Sequence, residues 1–458
     1  MQIQELIIYR NDKVTGKAGS EKTGLLPQML WLANNYQDGS KRGEALPRLA
    51  RCLNHLFSWA EETGFQGNLW HCYLADWLAN HENCFSLACE NNRMPDTTIS
   101  TAVLDDLATI RGWFTLDLDD MARELDSAVL PLILDYQVAQ SAGKIYGETI
   151  RDRIGRLAGE LAGAINEREM RDALATFYQQ LGVGKFGLHQ TFRVESRETS
   201  ARIVPIYRPT VVSLTDLVGY ELPKKKLTDN TEAFLQGKGA NNCLLYGDAG
   251  TGKSSSIKGL ANEYYEAGLR IIEIYKHQCG LLNEVVDQIK HRNYKFILYM
   301  DDLSFEDFEV EYKYLKAVIE GGLEKKPDNL LIYATSNRRH LIRERFSDKA
   351  DGGDDLHKSD TVQEKLSLSA RFGETIYFGA PGRKEYHRIV SELAQRQGYI
   401  RPEAGQGEAL SLLADQERAE MPVVRWTEAE LLAAADRWEL AHGGLSGRTA
   451  QQFIDYLG

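Results

Sequence analysis

The spacing of hydrophobic residues changes between the two halves of this chain. In the first 200 residues, apolar positions recur every three or four residues, which predicts a mostly α-helical domain. The helices predicted there are Leu46–Ala60, Leu104–Phe114, Ile150–Ala164 and Met170–Leu181. Towards the end of this half, Phe186–Arg193 and Ile203–Tyr207 are predicted to be extended, and Pro205 and Pro209 to mark a linker.

From Thr215 onwards, short apolar runs alternate with helical patterns. The predicted strands are Asn242–Tyr246, Arg270–Ile274, Lys295–Asp301, Asn329–Ser336 and Thr375–Phe378. The predicted helices are Ser254–Ala267, which Gly268 caps, Gly280–His291 and Glu309–Glu320. Several of the strand runs are apolar throughout, as expected for strands buried on both faces of a parallel sheet. This succession predicts an α/β fold with helices on both faces of the sheet.

The last part of the chain returns to a helical pattern. Its predicted helices are Arg383–Gln397, Gly407–Arg418, Thr427–His442 and Gly447–Leu457, and a polar, acidic stretch at 346–360 is predicted to be a mobile loop. The predicted domains are therefore a helical N-terminal domain at 1–200, an α/β core at 201–380 and a small helical domain at 381–458.

Composition restricts the class of protein. With 458 residues, 43% of them hydrophobic and 26% charged, the chain is expected to form several globular domains. The net charge of −12 disfavours broad nucleic-acid binding, which needs clustered Lys and Arg. Six scattered cysteines imply no disulfide framework. The sequence shows neither a signal peptide nor an apolar run of membrane-spanning length, so a cytoplasmic location is expected.

The strongest chemical signal is a phosphate-binding loop. It follows an apolar run and opens a predicted helix, whose free N–H groups would face an anion. Lys253 is expected to reach the β- and γ-phosphates, and the Ser254 hydroxyl to coordinate Mg²⁺. The residues predicted to hold the nucleotide here are Gly247, Asp248, Ala249, Gly250, Thr251, Gly252, Lys253, Ser254 and Ser255. The motif predicts that the chain binds a nucleoside triphosphate.

Two later strands end in polar residues suited to phosphate chemistry. Asp301, at the end of its strand, is predicted to hold Mg²⁺, and Asp302 to polarise the attacking water. Asn337 follows another buried strand, where its amide would orient that water without adding charge. The alternative interpretation is that all three residues only cap or form turns.

Two arginines complete the set of candidate residues. Arg371 lies between a helix and the last strand, where it is predicted to reach the γ-phosphate of a neighbouring subunit. Arg448 opens the last helix, where the helix dipole disfavours a cation, so an anionic partner such as bound phosphate is expected. The alternative for both is an ordinary surface ion pair.

These five motifs, in this order, resemble Walker A, Walker B, sensor 1, the arginine finger and sensor 2 of the AAA+ ATPases. The resemblance covers the chain from Thr215 to its end. It implies an AAA+ P-loop core, a helical lid over the nucleotide, Mg²⁺ and ATP as ligands, and a homo-oligomer. It also implies that Val218, Gly219 and Tyr220 contact adenine. The N-terminal domain would then recognise a protein client.

Four strings narrow the resemblance to one bacterial family of predicted ATPases, catalogued as domain of unknown function 815. They are Asn241–Asp248, Asp301–Phe305, Leu315–Glu324 and Ala334–Leu341.

Asp302 departs from the commonest AAA+ pattern, which has glutamate there. Because aspartate is one methylene shorter, the water is expected to be held less well, and hydrolysis to be slow. Glu306 is an alternative base. One alternative function is thus an ATP-gated scaffold with slow or no hydrolysis. Another is a DNA-handling ATPase of the initiator or loader kind, which the acidic balance and the lack of a recognisable helix-turn-helix disfavour.

Two further patterns are interpreted as structural. His71, Cys72, His81, Cys84 and Cys89 fit no standard zinc spacing and are predicted to serve core packing. The stretch 182–185 resembles a second phosphate loop but follows a helical run, which predicts a turn at a helix C-terminus.

Overall fold

The chain divides into two compact units. The computed structural model describes residues 6–10, 24–93, 97–137, 143, 145–197, 200–210, 212–305, 309, 311–320, 326–338, 341, 368–400 and 426–458. The N-terminal unit is Met1–His189 with Pro205–Pro209, and the C-terminal unit is Gln190–Val204 with Thr210–Gly458. The predictions for the loop 346–360, the helix Gly407–Arg418 and Glu306 lie outside the described residues. No helix in the described ranges is both long and apolar enough to cross a membrane.

The N-terminal unit is helical, as its periodicity predicts. Its helices are α1 (Leu25–Asn35), α2 (Arg42–Thr63), α3 (Leu69–Asn80), α4 (Cys84–Glu90), α5 (Thr97–Phe114), α6 (Leu118–Glu124), α7 (Glu148–Gly163), α8 (Glu167–Gln180) and α9 (Gly184–Leu188). The four predicted helices are confirmed as α2, α5, α7 and α8. Each begins earlier than predicted, because polar first turns add nothing to the hydrophobic periodicity.

The prediction of extended structure from Phe186 is wrong at its start. Phe186 and Leu188 are both buried, but they lie in the short helix α9. Gly182 and Gly184 have left-handed backbones, with φ of 88° and 66°, and they turn the chain out of α8 and into α9. The turn predicted after α8 is therefore confirmed. Phe186 and Leu188 are two residues apart and both buried, a spacing that is also typical of a strand, and this led to the wrong prediction.

The cluster of His and Cys residues lies in and around α3 and α4. Cys72 and Cys89 are buried, whereas Cys84 is exposed. His81 is also buried, and its ring packs 5.1 Å from that of Trp77. Among the described residues, no group of His, Cys, Asp and Glu is placed to hold a metal ion.

A buried carboxylate anchors the first described segment of the N-terminal unit. Asp106, on α5, is only 1% exposed. Its oxygens accept hydrogen bonds from three successive backbone N–H groups, those of Ile7 (2.7 Å), Ile8 (2.7 Å) and Tyr9 (2.8 Å). Three donors to one carboxylate satisfy its charge without a cation. The side chain of Tyr9 is thereby fixed in the core, where it is fully buried.

We expect Asp106→Ala to destabilise the N-terminal unit by about 2–4 kcal/mol, because it leaves three N–H groups without their acceptor. The measurement is the urea midpoint of the unit's unfolding transition. Asp105→Ala is the matched control, since Asp105 is the exposed neighbour on the same helix. Equal shifts for both variants would show that the three hydrogen bonds contribute little.

Seven strands form one sheet in the C-terminal unit. They are β1 (Thr191–Arg197), β2 (Ser200–Pro205), β3 (Cys243–Gly247), β4 (Leu269–Glu273), β5 (Lys295–Met300), β6 (Leu330–Ser336) and β7 (Glu374–Phe378). Their spatial order is β2-β1-β4-β5-β6-β3-β7, and every neighbouring pair from β1 to β7 is parallel. The predicted α/β fold is confirmed. Strand β1 and the first residue of β2 precede residue 201, where the α/β core was predicted to begin.

In its described ranges, this unit also contains seven α-helices. They are α10 (Glu221–Leu235), α11 (Lys253–Glu263), α12 (Leu282–Ile289), α13 (Glu311–Glu320), α14 (Arg383–Arg396), α15 (Glu428–Ala441) and α16 (Gly447–Leu457). The last three pack around a hydrophobic cluster of their own and form the lid. The C-cap prediction for Gly268 is wrong. Helix α11 ends at Glu263, and the N–H of Leu269 reaches back to the carbonyl of Tyr264 (3.0 Å) around an intervening turn.

The parallel register determines where the site forms. Tyr246 on β3 is level with Ser336 on β6, and Met300 on β5 is level with Ala334 on β6. The carboxyl ends of three adjacent strands therefore finish at the same edge of the sheet. The segments that follow them meet there.

Candidate nucleotide-binding site

The loop after β3 is shaped by glycines. Gly247, Gly250 and Gly252 have positive φ of 135°, 74° and 87°. A Cβ atom on Gly247 would lie 2.0 Å from the carbonyl oxygen of Phe378, so no side chain fits there. The next residue, Asp248, is tied to the end of β7, because its carboxylate accepts the N–H of Ala380 (2.8 Å). The loop is thus held against β7 while its glycines curl towards α11.

Lys253, the first residue of α11, points back into this loop. Its Nζ donates to the carbonyl oxygens of Gly247 (2.9 Å) and Asp248 (2.6 Å), and to Oδ1 of Asn337 (3.1 Å). The residue is 7% exposed, and burial lowers the pKa of its amine. A buried cation bonded to neutral oxygens is well placed to gain an anionic partner.

Asp301 receives hydroxyl groups from two different elements. Ser254 on α11 and Thr335 on β6 each donate to the same oxygen, Oδ1, at 2.6 Å. Desolvation acts to raise the pKa of Asp301, but these hydrogen bonds, together with smaller contributions that include the charge of Lys258, outweigh it and hold the pKa below its ordinary value. The carboxylate therefore stays charged beside a hydroxyl. Hydroxyl and carboxylate oxygens are the ligands that Mg²⁺ prefers, so this donor set fits that ion.

Asp302 is held by the neighbouring strand. Its backbone N–H donates to Oγ1 of Thr335 (2.9 Å), and its Oδ1 accepts a hydrogen bond from Nδ2 of Asn337 (3.0 Å). Its φ is 48°, one of four positive values outside glycine in the described residues. The amide of Asn337 thus bridges Lys253 and Asp302, which connects the three motifs.

The lid contacts the loop through the start of α16. The backbone N–H of Arg448 donates to the carbonyl of Gly250 (3.1 Å), and a Cβ on Gly250 would meet Cβ of Arg448 and Oγ of Ser446 at 3.0 Å. The guanidinium of Arg448 is exposed and makes no ion pair within the described parts of the chain. It is available to an anion in the loop.

A cavity of about 700 Å³ joins these elements. The predicted residues that line it are Val218, Ala249, Gly250, Thr251, Gly252, Lys253, Ser254, Ser255, Asp301, Asp302, Asn337 and Arg448. Gly219 follows Val218 in sequence and has a φ of 81°. Gly247 and Asp248 do not line the cavity, but their carbonyl oxygens accept the hydrogen bonds of Lys253. Arg371 does not line this cavity, and its Nε is paired with the carboxylate of Glu320.

Several lining residues were not singled out from the sequence. Thr335 is one, although a lone hydroxyl at the carboxyl end of an apolar strand is a usable signal. Ile389 and Leu393 on α14, and Gln451 and Gln452 on α16, are others. The lid helices give no local sign of which face meets the cavity, because only their packing brings them there.

A family model described as "Protein of unknown function (DUF815)" matches residues 188–458, more than half of the chain. The chain belongs to this family. The motifs and the strand order of the C-terminal unit fit the AAA+ P-loop fold that the resemblance implied. The DUF815 match begins just before β1 and includes the whole sheet and lid.

More distant similarities were also found. The chain is 41% identical to the replication factor C large subunit of Staphylothermus marinus over 69 residues, which is 15% of each protein. The RuvB Holliday junction branch migration motor of Thermotoga maritima is similar in structure, with 17% identity and a TM-score of 0.31, over 54% of this chain and 72% of that one. A substituted form of that motor is 16% identical to this chain, with a TM-score of 0.30, and again 54% of this chain and 72% of that one are covered.

We expect Thr335→Val to weaken Mg²⁺ binding rather than nucleotide binding itself. The valine is nearly isosteric, but it removes one donor to Asp301 and the acceptor of the N–H of Asp302. The Mg²⁺ concentration at half-maximal nucleotide binding should rise about tenfold, as expected for one charged hydrogen bond lost. Titration calorimetry with and without EDTA measures both affinities.

Thr335→Ser is the control for that variant, since it keeps the hydroxyl. It should restore the Mg²⁺ dependence of the unmodified chain. An equal loss of affinity with and without Mg²⁺ in Thr335→Val would contradict the assignment.

Proposed function

We propose that the C-terminal unit binds ATP with Mg²⁺ and hydrolyses it, and that this drives conformational change in a homo-oligomer acting on a macromolecular client. The observation that carries the proposal is the hydrogen-bonded chain from Lys253 through Asn337 to Asp302, with links of 3.1 and 3.0 Å. It joins a phosphate-binding cation, a neutral amide and a carboxylate in one cavity.

In the proposed complex, the loop N–H groups and Lys253 hold the phosphates, while Val218 and Gly219 contact the base. Ser254 and Asp301 hold Mg²⁺, which would neutralise charge on the phosphate oxygens. Arg448 approaches the phosphates from the lid, so that the lid position depends on which nucleotide is bound.

For hydrolysis, Asn337 and Asp302 act on the attacking water. The amide of Asn337 orients the water, and the carboxylate of Asp302 accepts its proton. Their mutual hydrogen bond holds both groups at the same end of the cavity.

The shortness of Asp302 favours a second candidate function, an ATP-gated scaffold with slow or no hydrolysis. Its carboxylate has one methylene less to reach the water than glutamate would have, and Asn337 already engages one of its oxygens. A misplaced base lowers the rate steeply without affecting affinity.

We expect Asp302→Asn to lower the ATPase kcat by about 10²–10⁴, the usual contribution of a general base. ATP affinity should stay within about threefold, because Asp302 makes no contact that binding alone requires. Steady-state phosphate release measures the rate, and calorimetry measures the affinity. Lys253→Ala serves as the binding-deficient control. If the unmodified chain and Asp302→Asn bind ATP equally and are equally inert, the scaffold function replaces the enzyme.

Arg371 is proposed to act on the nucleotide of a neighbouring subunit. It does not line its own cavity, it lies three residues before β7, and it is ion-paired with Glu320 at the end of α13. A partly buried arginine that does not line the cavity of its own subunit is consistent with a role in trans. Such arginines contribute about 10³–10⁵ in rate.

Mixing Arg371→Ala subunits with Lys253→Ala subunits should restore part of the activity that each lacks alone. In mixed oligomers, an intact Lys253 site can face an intact Arg371 on the next subunit. The measurement is ATPase rate against mixing ratio, with native mass spectrometry to verify that mixed oligomers form. Mixed oligomers without any recovered activity would exclude the role in trans.

The N-terminal unit is proposed to recognise a protein client in the cytoplasm. The net charge of −12 disfavours nucleic acid as the client. The client can be sought by affinity capture with the Asp302→Asn variant in the presence of ATP. Salt-dependent DNA binding in the presence of ATP would favour the DNA-handling alternative instead.

A further inference from the structure

One segment of the C-terminal unit belongs to two hydrophobic cores at once. We call residues 213–221 the base-side segment, because it leads into the first residue of α10 and lines one end of the cavity. Leu214, Leu217 and Tyr220 pack into the core of the sheet, whereas Val218 packs into the core of the lid. The position of this segment is therefore determined by both parts of the unit.

Arg396, at the end of the lid helix α14, holds the backbone of this segment. Its Nη2 donates to the carbonyl of Thr215 (2.9 Å), and its Nη1 donates to the carbonyl of Asp216 (3.1 Å). The carboxylate of Asp216 lies 3.6 Å away as an ion-pair partner. A guanidinium that bonds two successive carbonyls fixes their orientation through its planar geometry.

Arg388, two turns earlier on α14, holds the other end of the segment. Its guanidinium pairs with Glu221, the first residue of α10. Glu392 lies between the two arginines and contacts both, at 3.1 Å from Nε of Arg388 and 4.0 Å from Nη2 of Arg396. The spacing of four residues places all three side chains on one face of the helix.

The next face of the same helix lines the cavity. Ile389 and Leu393, each one residue after a member of that charged row, lie on the cavity wall. Val218 and Tyr220 of the base-side segment line the same cavity. One apolar wall of the cavity therefore belongs to α14 and the other to the base-side segment. The contacts of Arg388 and Arg396 join these two walls.

We propose that Arg388 and Arg396 are positioning residues that hold the base-side segment to the lid, so that both walls around the nucleotide base move together. The proposal rests on the proposed function, since it requires a nucleotide in this cavity. Binding of the base then favours one lid position, independently of the contact between Arg448 and the phosphates. The two arginines themselves need not touch the nucleotide.

The two contacts differ in strength. Arg388 is 46% exposed and pairs with Glu221, which is 62% exposed, and such surface pairs contribute little. Arg396 is 42% exposed, but it bonds two backbone carbonyls instead of one exposed side chain, so its loss removes a restraint on the segment itself. Arg396 is therefore the position to test first.

Arg396→Gln is expected to weaken ATP binding about tenfold, the scale for a lost hydrogen bond to a charged group. Binding of inorganic tripolyphosphate, which uses the phosphate loop and lacks a base, should change less than twofold. Calorimetry or competition on the full chain gives both affinities. Arg388→Gln combined with Arg396→Gln should weaken ATP binding further, again without affecting tripolyphosphate.

Arg383→Gln is the matched control, because Arg383 lies on the same helix but pairs with Asp436 inside the lid. It should leave both affinities unchanged. The proposal is overturned if Arg396→Gln binds ATP normally, if it loses tripolyphosphate to the same extent, or if Arg383→Gln matches it. Failure of the unmodified chain to bind either ligand would instead contradict the proposed function.

Discussion

The site depends on the hydrogen bonds that hold one carboxylate between a helix and a strand. Asp301 directly follows β5, and it accepts hydrogen bonds from the hydroxyl groups of Ser254 on α11 and Thr335 on β6. These contacts fix the distance between the phosphate loop and the two strands that carry the other polar groups. They also keep the carboxylate charged, which is the state that a divalent ion requires. Without these two hydrogen bonds, the phosphate loop and the residues that follow β5 and β6 would not be held at fixed distances from one another.

That arrangement is possible because the strands are parallel and in register. β3, β5 and β6 end at one edge, so residues far apart in sequence become neighbours there. Lys253 and Asn337 are 84 residues apart, yet they share a hydrogen bond. The glycine at 247 adds a second restraint, because it brings the loop against β7.

The features that could be predicted from the sequence are those that depend on residues close together in the chain. Strand bounds, the phosphate loop and the polar residues after β5 and β6 follow from runs of apolar residues and the residues that end them. The start of α9 at Gly184 was missed because buried positions two apart occur in short helices as well as in strands. The role of Thr335 and the cavity-lining face of α14 depend on contacts between distant elements. No local pattern specifies such contacts.

The backbone at Asp302 explains which acidic residue can stand there. A φ of 48° is left-handed, a conformation that aspartate and asparagine tolerate far better than glutamate, because their short polar side chains bond locally. Glutamate in this position would gain reach towards the water but would strain the chain. The aspartate at position 302, where the usual AAA+ pattern has glutamate, therefore suits the left-handed backbone found there. In this chain, the conformation after β5 limits the length of the side chain at the proposed base position, and so couples the proposed catalytic reach of Asp302 to the local folding of the chain.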